Sequence, residues 1–154
     1  MLYSRSTEYA IRACVYLAQI PSGQYAMVKQ IAKEEGIPGH FLAKILQQLA
    51  RKGLLRSSKG PTGGFVLRWP AEEIPLLKIV EALDGLEEYQ RCASGLAECN
   101  DDVPCGMHES WKALRSRIID YLERTSIADV ANALKEKKAA LQKPHRGKRL
   151  ASKT

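Results

Sequence analysis

Three of the four cysteines in this chain fall within Cys92–His108, spaced C-x6-C-x5-C, with a histidine three residues beyond the last. Gly95, Asn100, Asp101, Asp102, Pro104 and Gly106 lie between or beside the thiols, the composition of a loop and not of a helix or strand. A loop can fold back on itself and aim Cys92, Cys99 and Cys105 at one centre. Thiolates select zinc, copper(I) or iron–sulfur clusters. The short C-x2–4-C pairs usual at zinc are absent. Longer gaps suit a polynuclear cluster, whose iron atoms need ligands from several directions. A disulfide with one thiol left over, or three unrelated cysteines, is the plainer account of the same residues. The fourth cysteine, Cys14, shares a helical face with Ala10, Ala13 and Leu17 and reads as a small core hydrophobe.

The elements that must position this loop are mostly helical. The first helix spans about Ser6 to Gln19, with Ser6 or Thr7 as cap and Pro21 and Gly23 as stop. Ile11 and Val15 lie on a second face, near Glu8, which leaves room for a second packing partner. A short helix from Val28 to Glu35 ends at Gly36, and a third runs from Pro38 to Lys52 with Phe41, Leu42, Ile45, Leu46 and Leu49 as its apolar stripe. Two helices joined by a short Gly-containing turn signal a helix-turn-helix. Strand-like residues 54–57 and 65–67 then flank Lys59-Gly60-Pro61-Thr62-Gly63-Gly64, a turn that makes the pair a wing. The turn fails the P-loop pattern, since G-x4-G-K-[ST] is unmatched and no helix follows.

Pro75 to Leu83 reads as a helix packed under the wing. After the cysteine loop, Glu109 to Arg124 reads as a longer helix in which Trp111, Leu114, Ile118 and Leu122 recur as in a helix–helix seam. A small domain already has its core, so this stripe is expected to meet a second subunit. Ser126 to Leu134 gives a short last helix; the tail from Lys135 is basic, its first turns can extend that helix, and its end is expected to be disordered. The divisions are thus 1–83 for a winged helix-turn-helix, 84–108 for the cysteine loop, 109–134 for the dimerisation and final helices, and 135–154 for the tail. The fold class is mainly α with a small β-hairpin wing.

Charge divides along the same lines. Residues 29–68 carry eight Lys/Arg and two Glu, net +6, whereas residues 69–134 carry six and thirteen, net −7; the tail is net +7. The basic block suits phosphate, and the acidic one avoids it. Double-stranded DNA is the expected partner, with Gly39, His40, Phe41 and Lys44 nearest the bases and Lys29, Arg51, Arg56, Lys59, Gly60, Gly63 and Gly64 against backbone or minor groove. No apolar run is long enough for a membrane span and no signal-peptide core is present, so a cytoplasmic location is expected. No dinucleotide-binding glycine pattern points to an enzyme.

Taken in order, Gly53-Leu54-Leu55, Lys59-Gly60-Pro61-Thr62-Gly63-Gly64-Phe65 and the three cysteines resemble the IscR/NsrR family of bacterial winged-helix regulators, over nearly the whole chain to about residue 134. The family's wing pattern is close to R-G-P-x-G-G-[YF], and Lys59 stands where arginine is usual. The resemblance implies a homodimer formed by the long helix and an iron–sulfur cluster, 2Fe–2S or 4Fe–4S, that tunes DNA binding. It implies Cys92, Cys99 and Cys105 as ligands. For the fourth it offers His108, near the histidine of the cluster-biogenesis branch, or Glu8, which matches the partner-subunit carboxylate of the nitric-oxide-sensing branch and is favoured here. The first cysteine gap is one residue longer than in either branch, and His40 and Ala43 depart from the cluster-biogenesis recognition helix. The rival expectation is a cluster-free winged-helix regulator that uses its cysteines as a thiol, disulfide or zinc switch.

Overall fold

Ser4, not Ser6 or Thr7, begins the first helix: its backbone is extended and its hydroxyl accepts the Thr7 N–H at 3.2 Å. The computed structural model describes residues 2–98 and 100–142, so Cys99 and the tail from residue 143 lie outside the described residues. The elements are α1 (Arg5–Gln19), α2 (Val28–Glu35), α3 (Gly39–Arg51), β1 (Leu55–Ser58), β2 (Gly64–Leu67), a 3-10 turn (Ala71–Glu73), α4 (Leu76–Leu83), α5 (Glu87–Gln90), α6 (His108–Arg124) and α7 (Ile127–Gln142). This is the mainly helical, winged-helix class expected from the sequence.

The apolar stripes account for the packing. Ile31 from α2, Leu42, Leu46 and Leu49 from α3, and Ile79 and Val80 from α4 are fully enclosed around α1. Gly36, in the left-handed conformation at φ 62°, stops α2 as its position predicts. Ile11 and Val15 are buried along with Ala10, Ala13, Cys14 and Leu17, so both faces of α1 are used within its own chain, against α2, α3, α4 and α7. Burial pushes the Cys14 thiol up to about 12, which fits its expected place in the core.

β1 and β2 form an antiparallel hairpin with Leu55 opposite Leu67 and Ser58 opposite Gly64. A reciprocal pair of backbone bonds, both 2.9 Å, joins Phe65 to Ala26, so the wing is tied to the connection between α1 and α2. Gly64 has φ +131°, and a Cβ there would run into the Ala26 carbonyl. A Cβ at Gly63 would collide with the Ser58 carbonyl. These two glycines are therefore required by the fold of the wing itself, where the sequence suggested close approach to DNA.

Several expectations are corrected. α4 packs chiefly on α1, α3 and α6, not under the wing. The stretch 84–108 is not all loop, because α5 forms one turn within it. α7 continues past Leu134 to Gln142, an extension into the basic stretch that the sequence left open. Its start is fixed locally: Ser126 Oγ accepts the Asp129 N–H at 3.1 Å, and Asp129 accepts the Ser126 N–H at 2.8 Å, a reciprocal cap. The Ile127 N–H donates to Ile74 at 2.8 Å and the Leu76 N–H to Thr125 at 2.9 Å, which pins the α6–α7 corner to the start of α4.

The seam read on α6 is split. Leu122 is 0% exposed in its own chain's core, so it is not a surface residue for a partner. Trp111 and Ile118 are half-buried, whereas Leu114 is 52% exposed. One core thus includes Leu122, Ile127 and Ala131 beside the winged-helix residues. No helix among the described residues is long and apolar enough to cross a membrane.

Candidate functional site

The face opposite the core of α3 carries the first half of the site. Leu42, Ile45, Leu46 and Leu49 turn inward, and Gly39, His40, Lys44 and Arg51 remain exposed. Phe41 leaves the stripe to which its spacing assigned it: it is 54% exposed, and its ring centroid lies 4.5 Å from that of His40. An aromatic pair at the start of an otherwise polar helix face is a surface shaped for contact. Lys29 is exposed at the start of α2, and Arg56, Lys59 and Gly60 are exposed on the hairpin. No ion pair among the described residues engages Lys29, Lys44, Arg51, Arg56 or Lys59. Their charge is left for an anion. Gly63 is buried and Gly64 half-buried, so these two shape the wing from within.

The cysteine loop is the second half. Cys92 and Cys105 are both half-buried, and no disulfide joins the described cysteines Cys14, Cys92 and Cys105. The loop returns on itself: Gly95, at φ +72°, donates its N–H to the Cys92 carbonyl at 3.0 Å, and Ser94 Oγ lies 3.4 Å from Cys105 Sγ. Cys92 borders a recess of about 380 Å³ with Arg91, Gly95 and Leu96. Sulfur donors at the edge of a turn-rich loop fit a thiolate-held metal group in chemistry and access.

His108 opens α6 and sits directly behind Cys105, its N–H donating to the Cys105 carbonyl at 3.0 Å. It is only 4% exposed, and its Nε2 lies 2.9 Å from Asp101 Oδ1. Lys112, one helical turn on, reaches the same oxygen at 2.7 Å. The Lys112 and His108 bonds hold the Asp101 carboxyl down to about 2. Sequence reading missed Asp101 as the anchor of this corner. The available signal was the i, i+4 spacing of His108 and Lys112, which aims both at one point. Glu109 brings a third ligand atom within 4.8 Å of those on Asp101 and His108, but the Lys112 ammonium already neutralises the Asp101 carboxylate.

Glu8 stands half-exposed in the first turn of α1, its N–H donating to the Ser4 carbonyl at 3.0 Å. Burial first, then Tyr121 and Glu8, push the Tyr3 phenol up.

Comparison with known proteins agrees with this geometry. A family model described as Rrf2, iron-dependent transcriptional regulator, matches residues 3–133. A relative from Mycobacterium tuberculosis, named as an HTH-type transcriptional regulator, is 36% identical over 148 residues, 95% of this chain and 91% of its own. The oxidised form of Staphylococcus aureus CymR superposes with a TM-score of 0.67 at 27% identity, covering 85% of this chain and 96% of the other. IscR of T. potens shares the fold, with a TM-score of 0.65 at 23% identity over 89% of this chain and 88% of the other.

Proposed function

The chain belongs to the Rrf2 family of DNA-binding transcriptional regulators, which are not enzymes, and we propose that it is a homodimer whose DNA affinity is set by an iron–sulfur cluster on the cysteine loop. Cys92, Cys99 and Cys105 would hold the cluster, with Glu8 from the partner subunit as the fourth ligand. Glu8 is preferred to His108 because the His108 ring is enclosed and already bonded to Asp101, while Glu8 is half-exposed in the first turn of α1. When bound, the cluster supplies a group sensitive to oxidants and nitric oxide.

On the DNA side, α3 enters the major groove by its N-terminal end. His40, Phe41 and Lys44 face base edges, while Gly39 and its neighbours approach closely. Lys29, Arg51, Arg56 and Lys59 neutralise phosphates, and Gly60 lets the wing tip turn at φ +99°. The part of the α6 stripe left outside the protomer's core, with Leu114 exposed and Trp111 and Ile118 half-buried, is the surface offered to the second subunit. Two-fold pairing asks for a near-palindromic operator with half-sites about one or two helical turns apart.

The observation that carries this reading is the contact between Ser94 and the Cys105 sulfur, which brings the two ends of the cysteine loop together. The test is anaerobic reconstitution with ferrous iron and sulfide, followed by absorption spectroscopy, native mass spectrometry and operator binding. A coloured dimer with added cluster mass and altered affinity is expected. A colourless protein with no added mass overturns the cluster.

A second reading, a thiol switch without a cluster, has one specific support: the similar CymR chain from S. aureus has been solved in an oxidised form. In that case Cys92 and Cys105 would respond to oxidant directly, and reductant alone would restore the original DNA affinity.

A further inference from the structure

The segment from Asp84 to Arg91 joins α4 to the cysteine loop, and it is held from both sides. At its start, the Asp84 carboxylate accepts the Ser4 N–H at 2.8 Å and the Ser4 hydroxyl. Near its middle, the Tyr89 hydroxyl donates to the Leu2 carbonyl. At its end, the Arg91 carbonyl accepts Trp111 Nε1–H at 2.9 Å, and the Gln90 carbonyl accepts from Arg115 at 3.4 Å. Cys92 is the next residue. The bonds to Ser4 and Leu2 cross 80 and 87 residues of sequence, so tertiary packing, not local chain geometry, makes them.

What these bonds grip is the start of α1. Ser4 is its N-cap, and the Glu8 N–H hangs from the Ser4 carbonyl at 3.0 Å. α1 in turn packs on α2 and α3, the helices of the DNA-facing head. A helix is stiff over this length, so a shift imposed at its first turn is passed along it to the helices packed on its side. Gly85, at φ +75°, turns the chain between the Asp84 grip and α5.

We propose that Asp84–Arg91 is a strap that transmits the state of the cysteine loop to α1 and hence to the recognition helix, with Asp84 and Tyr89 as its positioning residues. This rests on the reading that the loop changes state when it gains or loses a cluster. Reordering at Cys92 pulls the Arg91 and Gln90 carbonyls away from Trp111 and Arg115. The strap then loses its anchor on α6, and its hold on Ser4 and Leu2 no longer fixes the first turn of α1. A purely structural cap would act differently: its removal would lower stability equally in both states and leave their difference untouched.

The test uses the full chain as wild type, Tyr89→Phe and Asp84→Asn, each prepared cluster-loaded and cluster-free. The DNA is a duplex selected from a random pool by the wild-type protein. Iron and sulfide contents of the variants should equal wild type, since neither residue is a ligand. The ratio of DNA affinities between the two states should fall toward unity by about three- to tenfold. Hydrogen exchange at the Thr7 and Glu8 amides should depend on cluster state in wild type and depend on it less in the variants, the remainder being the direct pull of the cluster on Glu8. A variant that keeps both the wild-type ratio and the state-dependent exchange overturns the strap. Should the variants fold poorly, wild type alone decides: equal exchange at Thr7 and Glu8 in the two states overturns it. Should wild type take up no iron, the cluster reading fails and the strap is tested separately. Alkylating Cys92 and Cys105 with iodoacetamide must then raise exchange at Thr7 and Glu8, and unchanged exchange sinks the proposal.

Discussion

At the scale of the residue, the wing separates two kinds of glycine and one cation. Gly64 combines φ +131° with a backbone carbonyl where its Cβ would be, so Gly64→Ala is strained and crowded at once. We expect it to cost about 1–3 kcal/mol, read as a lowered urea midpoint with unchanged slope. Gly60 has open space around it and only its positive φ to satisfy, so Gly60→Ala should cost less than Gly64→Ala. Equal costs at both would mean that the Ala26 contact does not constrain the wing. Lys59 is exposed, outside every ion pair of the described residues, and part of the net +6 block. Lys59→Ala should therefore weaken DNA binding and make the salt slope shallower by about one unit. If titrations across a range of salt leave affinity and slope where they were, the wing does not touch the phosphates.

At the scale of the element, α6 serves two masters along one stripe. Leu122 belongs to the protomer's own core, so Leu122→Ala should destabilise the folded chain by about 2–5 kcal/mol whatever the state of assembly. Leu114 and Ile118 lie further up the helix, exposed and half-buried. Placing charge there with Leu114→Asp and Ile118→Asp should yield monomers or insoluble protein. A soluble double variant that still sediments as a dimer puts the interface on another surface.

At the scale of the whole molecule, the question is whether the DNA-facing head and the cysteine loop speak through α1 or through α6. Glu8 reports on the first route and His108, bonded to Asp101 at the start of α6, on the second. Glu8→Ala and His108→Ala, each reconstituted anaerobically, should differ: the resonance Raman spectrum and the cluster dependence of DNA binding should change for Glu8→Ala. If His108→Ala alone alters the spectrum, the fourth ligand is the histidine and the signal runs through the long helix.

Local rules were sufficient for most of the fold. The apolar periodicity of 28–35 and 38–52, the glycine stop at Gly36, and the glycine-rich turn at 59–64 are short-range signals, and helices and a hairpin formed where they stood. The segregation of cations into 29–68 and the clustering of three cysteines are likewise properties of the chain alone. Three matters waited on tertiary structure, because each depends on residues far apart in sequence. Spacing places Leu122 and Leu114 on one stripe, but only the packing of α4 against α6 determines that one is enclosed and the other is not. Gly64 is glycine because Ala26, from another part of the chain, lies against it. Asp101 became the partner of His108 and Lys112 because the loop folds back onto α6, and the grip of Asp84 on Ser4 spans 80 residues. Periodicity gives the face of a helix; which neighbour covers that face is decided by the other elements, and no local pattern encodes it.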